Sequence, residues 1–266
     1  MQAVHEACVR ENIKYYIIGG TALGAVRHGG FIPWDIDIDI AMPREDYDAF
    51  AKACANGALP DNLAYHNYEN TKGHSAPHAL VSLKGSLLTL RRSANSVKCG
   101  IDEIFIDIFP LDTAPADLES QKKQQQRLLR IKKIKDRKMG KLFRKSLSEK
   151  IVKKIVSLAL TPWSFKTLGR IQNNEMCRHH GCGSGLICSM GSQYSYFKQL
   201  MPESVYGKPT LIKFEDREFF APENIEDYLT RLYKDYMQLP PENKRQVILD
   251  FFEDVALTKP ENYKRK

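Results

Sequence analysis

Acidic residues and isoleucines alternate strictly over Asp35-Ile-Asp-Ile-Asp-Ile40. A period of two predicts a β-strand, with Ile36, Ile38 and Ile40 on one face and Asp35, Asp37 and Asp39 on the other. Upstream, Val4, Ala7, Cys8 and Ile13 recur at helical spacing, predicting a helix over 1–14. The β-prone run Tyr15 to Ile18 stops at Gly19-Gly20, and helical character resumes over Thr21 to Val26, giving strand, tight turn, helix. A helix is expected over Arg44 to Ala55. A second strand is expected over Ile104 to Leu111, with Asp107 between Phe105 and Phe109 on its own face.

Beyond Pro110 and Pro115 the pattern changes to a helical stripe amid Lys and Arg. It is formed by Leu128, Ile131, Ile134, Leu142, Leu147, Ile151 and Ile155, with Gly140 as the expected break between two helices. A short strand is expected over Leu211 to Phe214 and a helix over Ile225 to Met237, closed by Pro240-Pro241. A last helix is expected over 242–257. These readings divide the chain into a core at 1–115, a basic helical segment at 116–160, and a mainly helical region at 161–266 that completes the substrate site.

With 266 residues, 42% apolar and 27% charged, the chain can bury a real core, and disorder is excluded as its general state. No stretch offers the roughly 18 to 20 apolar residues of a membrane span, and Ile151 to Trp163 is interrupted by Lys153 and Lys154. His5, Glu6, Arg10 and Glu11 leave no room for a secretory h-region, so a cytoplasmic location is expected. Six scattered cysteines suit reduced thiols. The net charge of +8 is uneven: residues 121–154 hold 15 Lys or Arg against Asp136 and Glu149, a local +13 that leaves −5 for everything else.

Carboxylates at alternate positions of a strand lie roughly 7 Å apart in succession, and burying them together without a cation is costly. A hard divalent ion, Mg²⁺ or Mn²⁺, suits an all-oxygen site that also takes phosphates. The alternative is an edge strand with a solvated acidic face. Gly19-Gly20-Thr21, between strand and helix, can offer backbone N–H groups and a hydroxyl to phosphate. It can equally be an ordinary tight turn. Arg27 and His28 add donors for phosphate oxygens, or else are solvated surface groups.

The run from Gly19 through Arg27-His-Gly-Gly-Phe-Ile-Pro-Trp-Asp-Ile-Asp-Ile-Asp-Ile40, followed by Arg44-Glu-Asp-Tyr47, resembles the signature of the LicD family. Phe105-Ile-Asp-Ile-Phe-Pro-Leu-Asp112 is similar to that family's second block. Phe214-Glu215, Tyr228-Leu229 and Tyr233-Lys-Asp-Tyr-Met237 before Pro240-Pro241 are similar to its C-terminal block. The resemblance implies an α+β fold with a nucleotidyltransferase-like mixed sheet and flanking helices, to which the basic insertion and the C-terminal region are added. It implies transfer of phosphocholine or a related phospho-alcohol (ethanolamine, ribitol, glycerol) from a CDP-linked donor, CDP-choline first, to a sugar hydroxyl of a surface glycan. That glycan would be of teichoic acid, lipopolysaccharide or capsule type, with a lipid-linked acceptor expected. Asp37 and Asp39 match the paired metal ligands, Asp107 is the third carboxylate, and Asp35 stands close enough to assist. Two positions depart from the family pattern: Ile36 replaces an acid, and Lys234 replaces a glycine. Attachment of the nucleotide itself is the alternative chemistry.

For the basic segment, three readings are open: contact with an anionic membrane surface, packing of its stripe on the core, or nucleic-acid binding as a separate module. No nucleic-acid partner is expected if the transferase reading holds. Cys177, Cys182 and Cys188, with His179 and His180, invite a zinc reading, but their spacing lacks the tight pairs of structural zinc sites. Ordinary thiols are the expectation. A choline head group would be held by cation-π contact, with Trp34, Tyr194, Tyr196, Tyr228 and Tyr233 as candidates and Trp34, beside the acids, foremost.

Overall fold

The computed structural model describes residues 1–90, 101–139, 163–245 and 252–260. Its centre is a mixed sheet whose main path runs β1-β2-β6-β4-β3, with β1 Tyr16–Ile17, β2 Asp39–Pro43, β3 Leu63–His66, β4 Ala79–Leu83 and β6 Phe105–Thr113. Strands β2 and β6 are parallel and the other pairings are antiparallel. The far end of β6 continues into β7 Leu186–Cys188, which pairs with β8 Leu200–Pro202. The fold is α+β, as expected from the sequence.

Helices α1 Gln2–Arg10, α2 Gly19–His28 and α3 Arg44–Ala55 flank this sheet, and each buries one stripe: Val4, Ala7 and Cys8 in α1, Tyr47 and Phe50 in α3. The core they share also takes Ile17, Ile40, Met42 and Ile108 from the central strands. Arg44 opens α3 and is itself buried, because Asp112 near the end of β6 accepts from both Nε (2.7 Å) and Nη2 (2.9 Å). A buried charge needs such a partner.

Helix α4, Leu118–Lys138, begins at an Asp117 cap that accepts from the Ser120 N–H at 2.8 Å. It packs on α5 Phe165–Met176. Leu128 and Ile131 are buried there, so in this half of the basic segment the apolar stripe is spent on the protein's own core. Lys122, Lys123, Arg130, Lys132 and Lys133 remain exposed. Gly140 and the rest of the stripe from Leu142 to Ile155 lie outside the described residues.

The region after 161 differs from expectation. Besides α5 it contains β7, β8, short helices α6 Tyr196–Gln199 and α7 Glu203–Tyr206, a hairpin of β9 Thr210–Phe214 with β10 Arg217–Ala221, and α8 Ile225–Tyr233. Helix α8 ends four residues short of Met237, because Lys234 adopts φ +63°, ψ −115°, which breaks the helical path. Of the expected final helix at 242–257, residues 246–251 lie outside the described residues, and the described parts are not α-helical. Glu242–Lys244 is a single 3-10 turn, and Phe252–Ala256 is a strand, β11, paired with β5 Leu87–Leu90. Pairing with a distant strand won over local helical spacing, a competition that the local pattern cannot register.

Candidate active site

The acidic strand begins later than the alternation predicts. Only Asp39 and Ile40 belong to β2, while residues 35–38 form a loop running into it. Ile36 is 41% exposed rather than sharing the buried face of Ile40. The pattern of two persists in sequence without a sheet partner beneath its first half.

This loop is held from both sides. The Asp39 N–H donates to Thr21 Oγ1 at 2.9 Å, and the Ile18 N–H donates to the Asp39 carbonyl at 3.0 Å. At the other end Glu215, in the β9–β10 turn, accepts from the Phe31 N–H at 2.8 Å, and its own N–H donates to the Gly29 carbonyl at 2.7 Å. Glycine at position 30 is required by this clamp, since a β-carbon there would collide with the Glu215 carboxylate. Gly20 likewise leaves room for the Asp35 carboxylate against the start of α2.

Asp39 and Asp107 are register partners across the parallel β2–β6 pair. Oxygens of Asp37, Asp39 and Asp107 all lie within 4.8 Å of one another. The three residues expected to converge do so, although Asp37 reaches the cluster from the loop. Asp35 is not one of this trio. Burial and the facing carboxylates of Asp35 and Asp107 push Asp37 up to about 7. Burial, with the charges of Asp37, Asp107 and Asp35, pushes Asp39 well above the usual carboxylate range. Three crowded oxygens from three chain positions, with protonation favoured by mutual repulsion, form a donor set that fits a hard divalent cation.

His78, which the sequence reading did not single out, donates to or accepts from Asp107: its Nε2 is 2.7 Å from Oδ1, and its ring lies 4.1 Å from that of Phe109. The only signal was the His74-Ser-Ala-Pro-His78 cluster just before a short apolar run, and a lone histidine there implies nothing specific.

The Gly19-Gly20-Thr21 turn is occupied by the protein's own groups. Gly19, at φ +58°, donates its N–H to the Tyr228 hydroxyl at 2.9 Å, and the Thr21 hydroxyl accepts from Asp39. Arg27 Nη1 donates to the Tyr236 carbonyl at 2.9 Å, tying α2 to the segment after α8, and the His28 ring meets Trp34 edge-on at 6.0 Å. Among the aromatic candidates, Tyr194 and Tyr233 share a 3.2 Å hydroxyl contact, and Lys198 Nζ lies 4.3 Å from the Tyr194 ring centre. Burial raises the Tyr194 phenol, and the charges of Asp39, Asp35 and Asp37 act in the same direction. Tyr196 instead donates to Gln124 under α4 at 2.7 Å, a structural contact.

The cysteines part company. The Cys177 thiol meets Asp112, Cys182 the Ala114 carbonyl and Cys188 the Tyr196 carbonyl. Among the described residues they form no metal-binding cluster with His179 or His180.

With this geometry in place, comparison with known proteins is decisive on kinship. The chain is 30% identical over 258 residues to the lipopolysaccharide cholinephosphotransferase LicD of Haemophilus influenzae, covering 91% of this chain and 89% of that protein. The chain belongs to the LicD family. Residues 12–127 match the family model described as LicD/FKTN/FKRP, nucleotidyltransferase domain. A shorter likeness, 50% over 34 residues, links it to the mouse ribitol 5-phosphate transferase FKRP, covering 13% of this chain and 7% of that one. The chain is a LicD-type transferase, and Asp37, Asp39 and Asp107 lie inside the matched segment. Among the described residues no helix is long and apolar enough to cross a membrane.

Proposed function

We propose that the protein transfers phosphocholine, or a related phospho-alcohol, from a CDP-activated donor to a sugar hydroxyl of a cell-surface glycan of the lipopolysaccharide type. The observation that carries this reading is the convergence of Asp37, Asp39 and Asp107 within a LicD-family segment. The named activities of the Haemophilus and mouse relatives, moving phosphocholine and ribitol 5-phosphate, supply the substrate class.

Asp37, Asp39 and Asp107 would hold Mg²⁺ or Mn²⁺, whose chemistry there is to neutralise phosphate oxygens and orient them. Asp107 is steadied by His78, and Asp39 by the Thr21 hydroxyl on its N–H. Asp37, the most exposed of the three, is the carboxylate placed to accept the proton of the attacking hydroxyl. The phosphorus–oxygen bond to the sugar forms as the bond to the nucleoside monophosphate breaks, so CMP leaves. Trp34, next in the chain to the acids, would offer a face to a cationic head group, since Lys198 already lies over the Tyr194 and Tyr233 rings. The exposed lysines of α4 would draw the protein to an anionic membrane surface, where a lipid-linked acceptor resides.

The test is a screen of CDP-choline, CDP-ethanolamine, CDP-ribitol and CDP-glycerol for Mg²⁺-dependent CMP release with a glycan acceptor. Release from one of them, lost in Asp37→Asn and Asp39→Asn variants that keep their fold, supports the reading. Pyrophosphate release from CTP instead would assign nucleotidyl transfer.

A further inference from the structure

Behind the tyrosine pair lies a surface cavity of about 590 Å³, lined by Phe197, Lys198, Arg231, Tyr233 and Lys234 among others. That volume suits a small ligand rather than a trapped water. Among the described residues its lining carries three cations and no carboxylate. Arg231 is partly balanced from outside by Asp227, which accepts from its Nε at 2.9 Å. Phe197 is 40% exposed and adds an apolar face to the rim.

Lys234 makes this more than a chance gathering of surface lysines. At φ +63°, ψ −115° its backbone occupies a conformation that glycine adopts freely and a side chain does not. A lysine at such a position lines the cavity against a local backbone cost. Lys198 is fixed from the other side, its Nζ 4.3 Å from the Tyr194 ring centre and 5.6 Å from that of Tyr233. The Tyr233 hydroxyl touches Tyr194, and Tyr233 shares α8 with Tyr228, whose hydroxyl accepts from the Gly19 N–H beside Asp39. Helix α8 therefore runs from the acidic site to the cationic cavity.

We infer that this cavity binds an anionic substituent, a phosphate or carboxylate, on the acceptor sugar, and that Lys234 and Arg231 determine this preference. The inference rests on the transferase reading above, in which the acidic site takes the donor diphosphate. An acceptor anchored by its negative group beyond Tyr233 would extend a neighbouring hydroxyl toward Asp37. Two cations from one turn, Arg231 and Lys234, supply charge-assisted bonds of the kind that fix such groups.

The test is calorimetric titration of the full chain at low salt with glucose 6-phosphate, with glucose, and with CDP-choline plus Mg²⁺. Lys234→Gly, which suits the local backbone, and Arg231→Gln, on an exposed helix face, serve as variants. Glucose 6-phosphate should bind and glucose should not. Each variant should weaken the sugar phosphate by about tenfold, a loss typical of one charge-assisted bond, while CDP-choline affinity stays unchanged. Equal affinity for glucose and its phosphate, no binding of either, or unaltered binding by both variants would overturn the inference. A parallel fall in CDP-choline affinity would also overturn it, by assigning the cavity to the donor. Because these are binding measurements without turnover, absence of transfer activity would count against the reaction and not against the cavity.

Discussion

Asp39 and Asp107 stand opposite each other as register partners on adjacent parallel strands, and both turn a carboxylate toward Asp37. Parallel strands at the centre of a sheet are ordinarily apolar on both faces. Two acids at one level of such a pair are therefore a standing electrostatic cost, and the rest of the site is organised around it.

That cost has a sign in pH. Asp37, pushed up to about 7, and Asp39, raised in the same direction, bind protons more tightly in the folded chain than in the unfolded one. Stability associated with them is fully present below the ordinary carboxylate pKa near 4 and is lost as pH rises through about 7. Without divalent ions, the melting temperature should fall between pH 4 and pH 7. Mg²⁺ should restore it most strongly near pH 7, and Asp39→Asn should flatten both effects. Thermal melts with EDTA and with Mg²⁺ across that range check this.

Arg44 and Asp112 join the start of α3 to the end of β6, the strand that carries Asp107. Burial disfavours the Arg44 charge, yet Asp112 outweighs it and holds the guanidinium above its ordinary value. Arg44→Met leaves Asp112 buried and unpaired, and should cost about 3–5 kcal/mol. The Arg44→Met, Asp112→Leu double variant should recover much of that loss in urea denaturation.

Tyr228 ties α8 to the glycine turn through its hydroxyl, which accepts from the Gly19 N–H, and the ring is fully buried. Tyr228→Phe strands that donor and should cost about 1–3 kcal/mol. Because Gly19 adjoins Asp39, turnover should fall as well, with the donor KM rising. Steady-state kinetics alongside denaturation separate the two effects.

Much of the site was legible because it lies in two short stretches, residues 19–39 and the run around Asp107. The turn at Gly19, the acids at 35, 37 and 39, and Asp107 in a β-branched run are local features, and their meeting follows from two strands pairing. Other contributions come from far along the chain. Glu215 clamps Phe31 from the β9–β10 turn, Tyr228 caps Gly19, and His78 steadies Asp107. None of these has a spacing that reveals its partner. The residues 252–256 show the same limit in the fold, since their strand character comes from β5 more than 160 positions earlier in the chain's pairing of Phe252 with Leu90. Lys234 ends α8 where periodicity continues to Met237, because a backbone angle rather than a side-chain pattern sets that boundary.

The claim on which the account turns is that Asp37, Asp39 and Asp107 together grip a divalent cation. Titration of the purified, metal-free chain with Mn²⁺, followed by electron paramagnetic resonance, measures that directly. The account predicts saturable binding near neutral pH that disappears in Asp39→Asn and in Asp107→Asn while the fold persists. Binding of equal strength in wild type and both variants would contradict it.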